Sequence, residues 1–551
     1  MSFKKTFFII LSTLLVNYTV KAQDYELKIT SINKTENKIL NKINYLRKFQ
    51  DSTIISKELK KIEKELQKKG YYAYMIDSVK KQNKIFNIYM SLNKNVNNII
   101  ISFSKLNPAT LKVLKLPNTK AIVQSNKIEE YLNKLSFKLE QNGLSFSKIY
   151  LEDYKTSNKT IKASLVIRNL KERKINNTII KGYENFPTKY ITNHYNINTK
   201  TIYNNKLLNK ISKNTKPLKF IQEIKKPEIL FTKDSTLLYM YLKKINRSSF
   251  DGLINFANNE NGKIKFNGYL ELNLLNTINK GEEINLEWKS LNNDRSEFSL
   301  NFINPYIFNS KISPEIKFNI YRQDSTFTNT RFETNLKYKL SEYSKISVNY
   351  TTESSAEIIK SDNIETFNNN FFGFGYEFTV PNYDEFNSDK FSLLINPSIG
   401  KRKTRTENTS QIKIESRISY LFNLNNRNKI YLQNNMGFLN SENYVNNELF
   451  RIGGKNTIRG ASEKSIFTEN YITQNIEYRY LTKKDAYLYT ISDLGIIYNK
   501  ENSEKLIGIG IGYLFNTNKS KINFSITTIL KNKRLSTPEN TQLTINWKNY
   551  F

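Results

Sequence analysis

The chain has 551 residues, 85 Lys and Arg against 50 Asp and Glu, a formal net charge of +35, and no cysteine. That length exceeds one hydrophobic core, and the missing cysteines exclude disulfides, thiolate metal sites, cysteine nucleophiles and a lipidated N-terminal Cys. The cations are scattered among Asn and Ile, without the tight basic cluster and interleaved aromatics of a nucleic-acid groove, so no nucleic-acid partner is expected.

Residues 1–22 have the layout of a cleavable export signal. Lys4 and Lys5 precede a largely apolar run from Phe7 to Val16, and Val20 and Ala22 stand where a signal peptidase reads. The run is too short to cross a bilayer as a helix, and no other stretch of about 18 apolar residues follows. The exported chain is then either soluble or a β-barrel.

Between residues 23 and 247 one order of elements recurs. In the first unit, 23–95, "YELKITSI" reads as a strand and residues 35–48 as a short helix. "DSTIISKELKKIEKELQKKG" is a longer helix with Ile55, Leu59, Ile62 and Leu66 on one face and Gly70 as its stop. The strands "YYAYMIDSV" and "KIFNIYMSL" complete it. The second unit, 96–170, runs from "NNIIISFS" through the helix "SNKIEEYLNKLSFKLEQNG" to "LSFSKIYLED" and "KTIKASLVIR". The third, 171–247, opens at "INNTIIKGYENFP" and closes with "KPEILFTK" and "STLLYMYLKK". Its His194 is the chain's one histidine; with no second His to complete a metal or acid-base pair, it reads as a surface or packing residue.

From Ser248 the helical period gives way to alternation. Eleven runs between residues 249 and 438 and five between 466 and 551, the first of these over 466–480, read as strands of roughly ten residues. Membrane-barrel strands need about nine to eleven residues, against about five or six in soluble sheets. Sixteen is an even number, as a closed antiparallel barrel requires. In the last strand, "QLTINWKNYF", Leu543, Ile545, Trp547 and Phe551 share one face and can meet lipid, while Thr544, Asn546 and Lys548 face the lumen.

Between the eleventh and twelfth strands stands "RIGGKNTIRG". It fails as a phosphate loop, because Gly454 and Lys455 are followed by Asn456 and the next segment is a strand. No nucleophile elbow, carboxylate pair or His relay is visible, so the chain does not read as an enzyme and calls for no cofactor and no metal. A lumenal Arg459 would need a carboxylate partner, which its planar fork can bind twice, and Gly453, Gly454 and Gly460 would let the backbone turn tightly.

The export signal, three tandem modules and a sixteen-strand barrel with "GGKNTIRG" at this place resemble the BamA and TamA family of outer-membrane assembly and translocation barrels with POTRA domains. Three modules are more similar to TamA. The resemblance covers essentially the whole mature chain. It implies α+β periplasmic modules followed by an all-β, 16-stranded antiparallel transmembrane barrel at residues 248–551, in a bacterial outer membrane. It also implies a loop folded back into the lumen, with Ile458, Arg459 and Gly460 matching the family's motif and Ala461 standing where relatives have an aromatic. "NIEYRY" would supply Glu477, and "ISD" Asp493, as wall partners of Arg459. Implied partners are outer-membrane or secreted client proteins, outer-membrane lipid and a periplasm-spanning protein. The implied function is to receive clients on the modules and insert or export them at the seam between the first and last strands. The alternative is a two-partner secretion pore for one exoprotein.

Overall fold

The computed structural model describes residues 25–551 except 158, 259–263, 292–294, 383, 385, 387, 500–502, 518, 532–533 and 536–540. The expected export signal lies outside the described residues. The chain divides into two compact units, one running to Arg173 and including Ile202–Asn205, the other formed by Lys174–Thr201 and Lys206–Phe551. Among the described residues no helix is long and apolar enough to cross a membrane.

The first unit holds two α/β modules. In the first, the sheet order is Lys48–Phe49, Tyr25–Thr30, Ile85–Ser91, Met75–Gln82. The helix Ser52–Lys68 is capped by Asp51, whose side chain accepts the Thr53 N–H, and it lays Ile55, Ile62 and Leu66 on the sheet beside Leu27 and Ile88. The other helix is shorter than expected, Lys34–Leu40, because Lys48 and Phe49 are drawn out to pair with Glu26 and Tyr25. In the second module the order is Lys120–Gln124, Asn98–Ser102, Thr160–Arg168, Lys148–Ser157. Leu135 and Leu139 of the helix Ile128–Gln141 meet Ile99, Ile101 and Leu165 in its core. The helix Pro108–Leu114 and the strand Lys120–Gln124 have no counterpart in the sequence expectation.

The second unit opens with a three-stranded sheet, Ile221–Phe231, Thr236–Lys244, Asn177–Lys181, with the helix Asn205–Thr215. This third module is hydrogen-bonded to turns of the barrel that follows. Tyr190 Oη donates to Gly281 O at 3.2 Å, Tyr183 Oη to Asn279 at 2.7 Å, and Lys189 Nζ reaches Asn304 and Pro305 O. His194 sits in the same junction. Its Nε2 lies 2.9 Å from Asn214 O and its Nδ1 3.3 Å from Tyr306 Oη, while Lys339 Nζ donates to the His194 carbonyl at 3.2 Å. Burial, with the Lys339 ammonium beside it, pulls the imidazole down from 6.5 to about 3, so it stays neutral.

The barrel closes with sixteen long antiparallel strands, one after another around the ring. Strands 1 to 11 run from Ser249–Asn258 to Asn428–Ser441; strands 12 to 16 are Asn470–Lys483, Ala486–Tyr498, Ser503–Asn516, Ser520–Lys531 and Gln542–Tyr550. Strand 12 begins later than the sequence suggests. Ile466–Thr468 belongs to a separate two-stranded hairpin with Phe450–Ile452, so the run expected over 466–480 is broken at Glu469. Wall height is uneven, from nine residues in strands 3, 4 and 16 to sixteen in strand 10, Asn408–Asn423. The ring is joined unequally too. Strands 15 and 16 are in register from Ser520↔Asn549 to Thr527↔Gln542, whereas among the described residues strands 1 and 16 share only Ser249↔Tyr550 and Phe250↔Asn549.

Candidate functional site

The loop between strands 11 and 12, residues 442–469, carries the site. It begins with a short turn whose Asn447 and Glu448 are buried, passes through the hairpin Phe450–Ile452 with Ile466–Thr468, and places residues 453–465 at its tip. Gly453 and Gly454 both take left-handed backbone, φ +112° and +85°. Thr457 Oγ1 accepts the Gly453 N–H, and Ile458 O accepts the Gly454 N–H. These two bonds fold the tip on itself and present Ile458 and Arg459 to the wall.

Arg459 meets both expected carboxylates. Its Nε and Nη2 donate to the two oxygens of Asp493 at 2.8 and 2.6 Å, its backbone N–H donates to Asp493 at 2.9 Å, and Nη1 reaches Glu477 at 2.5 Å. A planar guanidinium can satisfy two carboxylates at once in this way, and a lysine ammonium cannot reproduce the fork. The Asp493 side chain is completely buried, and Glu477 and Arg459 are nearly so. Their charges are therefore weakly screened, and each depends on the others.

Glu477 is shared. Its second oxygen accepts from Arg479 Nε at 2.8 Å, and the Arg479 guanidinium lies 4.2 Å from the Tyr431 ring centroid and 5.2 Å from that of Tyr487. These two ring contacts hold Arg479, which in turn holds Glu477 from the wall side.

Apolar packing completes the tip. Ile458 is fully buried with Ile452, Ile497 and Leu506, and it occupies the space that a Cβ at Gly495 would fill. Gly460, at φ +95°, runs against the backbone of Thr528 on strand 15, an approach and a conformation that a larger residue would strain. Ala461 is buried as well, its Cβ 3.5 Å from where one on Gly453 would lie. The backbone of Gly453 thus lies beside Ala461, and the apolar anchoring of this tip comes from Ile458.

A second anchor, with no signal in the sequence reading, holds the loop's root to the opposite wall. Glu448 is ion-paired with Arg402, both side chains essentially inaccessible, and accepts from Gln411 Nε2 at 2.7 Å and from its own turn at Val445 N. Asn447 donates to Ser355 Oγ at 2.6 Å and accepts at its carbonyl from Asn329. Further contacts cross the lumen. Lys464 pairs with Glu297, and the Arg451 guanidinium lies 4.0 Å from the Tyr321 ring centroid. The loop therefore spans the lumen, tied to strands 4 to 10 on one side and to strands 12, 13 and 15 on the other. On the far side of the wall, Leu543, Ile545, Trp547 and Phe551 are all more than half exposed, pointing out of the barrel along strand 16.

Comparison with known proteins follows this architecture. Residues 309–515 match the model of the haemolysin secretion/activation family ShlB/FhaC/HecB. A search of curated proteins finds no match. Among solved structures the chain is similar to CdiB from Acinetobacter baumannii, at 13% identity over 90% of this chain and 98% of that one, with a TM-score of 0.51. It is similar to CdiB from Escherichia coli at 11% identity over 91% and 98%, with the same score. BamA from Haemophilus ducreyi lacking POTRA domains 1–3 aligns at 11% over 83% and 100%, with a TM-score of 0.47. The chain has the fold of the CdiB structures, a sixteen-stranded antiparallel barrel behind α/β modules, and its barrel carries the sequence pattern of the secretion/activation family over residues 309–515.

Proposed function

We propose that this chain is a bacterial outer-membrane factor that receives unfolded polypeptides on periplasmic modules and passes them into or through the membrane, without cofactor and without breaking bonds. The observation that carries it is the lumenal loop locked by Arg459 to Asp493 and Glu477 inside a ring whose strands 1 and 16 share, among the described residues, only two register pairs. A simple pore does not need the α/β modules that precede this barrel. Backbone groups left unpaired in lipid are costly, so a client strand that pairs at the parted seam lowers the cost of opening it.

A second reading, a secretion pore for one dedicated exoprotein, is favoured by the match of residues 309–515 to a secretion/activation family. Depletion followed by proteomics of the outer membrane and of the medium separates the two. Loss of many outer-membrane proteins is the outcome expected from insertion at the seam; an unchanged outer membrane with one secreted protein missing replaces that reading by the second.

A further inference from the structure

We infer that Lys401 and Lys403, on the outer face of the barrel wall, bind the phosphate-bearing sugar headgroup of an outer-leaflet glycolipid. The inference rests on the reading above that puts the modules in the periplasm, which leaves the opposite rim in the outer leaflet. Strand 9, Asp389–Lys403, runs away from the modules as strand 1 does, so both lysines stand at that rim.

Alternation puts them outside. Arg402 between them is buried with Glu448 on the lumenal side, and Lys401 and Lys403 are exposed. Register then sets their neighbours. Lys401 stands between Asn370 of strand 8, Phe367–Pro381, and Ser410 of strand 10, and Lys403 stands between Asn368 and Asn408. One row nearer the modules, Ile399 stands between Phe372 and Ile412, with Ile399 66% and Phe372 63% exposed. The outer wall thus changes from apolar to polar in a single step across three strands, and the polar side is cationic.

The height of this step matches a membrane surface. On strand 10 the outward face begins with Phe422 and Tyr420, whose ring centroids are 4.2 Å apart, and stays apolar but for Ser416 as far as Ile412. Ten residues at about 3.4 Å each and a tilt of about 40° cover about 26 Å, the height of a barrel's apolar belt. The lysines lie just beyond it, where headgroups begin. A lysine stem can lie along Ile399 there while its ammonium reaches the phosphates.

The polar groups at this step are poised for an anion. Neither ammonium has a carboxylate partner among the described residues. Tyr350 Oη, on strand 7, Ser344–Glu357, donates to Asn370 Oδ1 at 3.0 Å. That bond occupies the amide oxygen and leaves the Nδ2 donors beside Lys401. Cross-strand neighbours hold their Cβ atoms about 5 Å apart, so the Lys401 ammonium and the Asn370 amide can share one phosphate. Ser410, Asn368 and Asn408 add the hydroxyl and amide groups that suit a sugar. A zwitterionic headgroup would leave the two positive charges uncompensated.

Native mass spectrometry of the full-length protein in detergent, titrated with diphosphorylated lipid A, tests the site. Each lysine near an anionic surface is worth roughly fivefold in affinity, so Lys401→Gln/Lys403→Gln should bind about tenfold or more weakly. Lipid A stripped of its phosphates should bind the parent chain no better than the intact lipid binds this variant. Arg322→Gln removes another exposed cation at the same rim and should leave binding unchanged. Unchanged binding in the double variant, or an equal loss in Arg322→Gln, overturns the site, and phosphatidylglycerol bound as tightly as lipid A overturns the glycolipid as its occupant. Because the chain has no cysteine, Arg405→Cys in the adjoining turn reads the placement separately, through labelling of intact cells by a membrane-impermeant maleimide. Labelling is expected; its absence overturns the periplasmic placement of the modules, whereas labelling without lipid A binding overturns this inference alone.

Discussion

Arg459 shows how much depends on one side chain. Removing it leaves Asp493 fully buried and Glu477 nearly so, with the cation between them gone. Arg459→Ala should therefore cost about 3 kcal/mol of barrel stability, the range for breaking one partner out of a buried pair. Arg459→Lys should recover only part of this, because an ammonium cannot fork between two carboxylates. The temperature at which the folded band disappears in semi-native electrophoresis measures both, and unchanged midpoints would remove the lock. Gly495→Val probes the same tip without touching charge. Its side chain would enter the space of Ile458, so the tip should be displaced and the midpoint lowered while Asp493 and Glu477 remain intact.

At the level of elements, the loop 442–469 behaves as a crosspiece with two ends. Glu448→Gln should loosen the root by stranding the buried Arg402, and Arg459→Ala should loosen the tip. Either alone leaves the loop tethered on one side of the lumen. Single-channel conductance in planar bilayers should accordingly rise modestly in each single variant and by more than the sum of the two in the double variant, since both act on one segment. Additive conductance would mean that the ends move independently.

These elements were unequally legible in the sequence. Barrel strands announce themselves, because an alternating pattern repeated at strand length needs no partner to be recognised. Short pieces do not. Lys120–Gln124 and Lys48–Phe49 take their conformation from the neighbour they pair with, so nothing in "KAIVQ" alone requires a strand. The tip lock was reached through the family likeness of "IRG", "NIEYRY" and "ISD". The root was out of reach, because "NNELF" reads as an ordinary polar loop and Arg402 and Gln411 lie far from Glu448 along the chain.

For the whole molecule, the third module and the barrel form one compact unit, and His194 lies at their junction. Its folded pKa, about 3, lies below the ordinary value of 6.5. The unfolded chain thus binds the proton first, and the stability that neutral His194 supplies is complete above pH 6.5 and is lost as the pH falls from there toward 3. Lys339, 3.2 Å from the His194 carbonyl, and Lys345 add repulsion against a charged ring. Urea midpoints measured between pH 7.5 and about 4.5 should fall less in His194→Gln than in the parent chain. Equal slopes would show that the junction carries no proton linkage.

The uneven height of the wall has a consequence for the membrane itself. At about 3.4 Å per residue and a tilt of about 40°, the nine-residue closing strand spans about 23 Å along the bilayer normal, and the sixteen-residue tenth strand spans about 42 Å. A hydrocarbon layer of about 30 Å fits the tall side and overhangs the short one, so acyl chains there must shorten by disordering. Lipid beside the last strand is then compressed, and deforming the bilayer further costs less there than beside the taller strands.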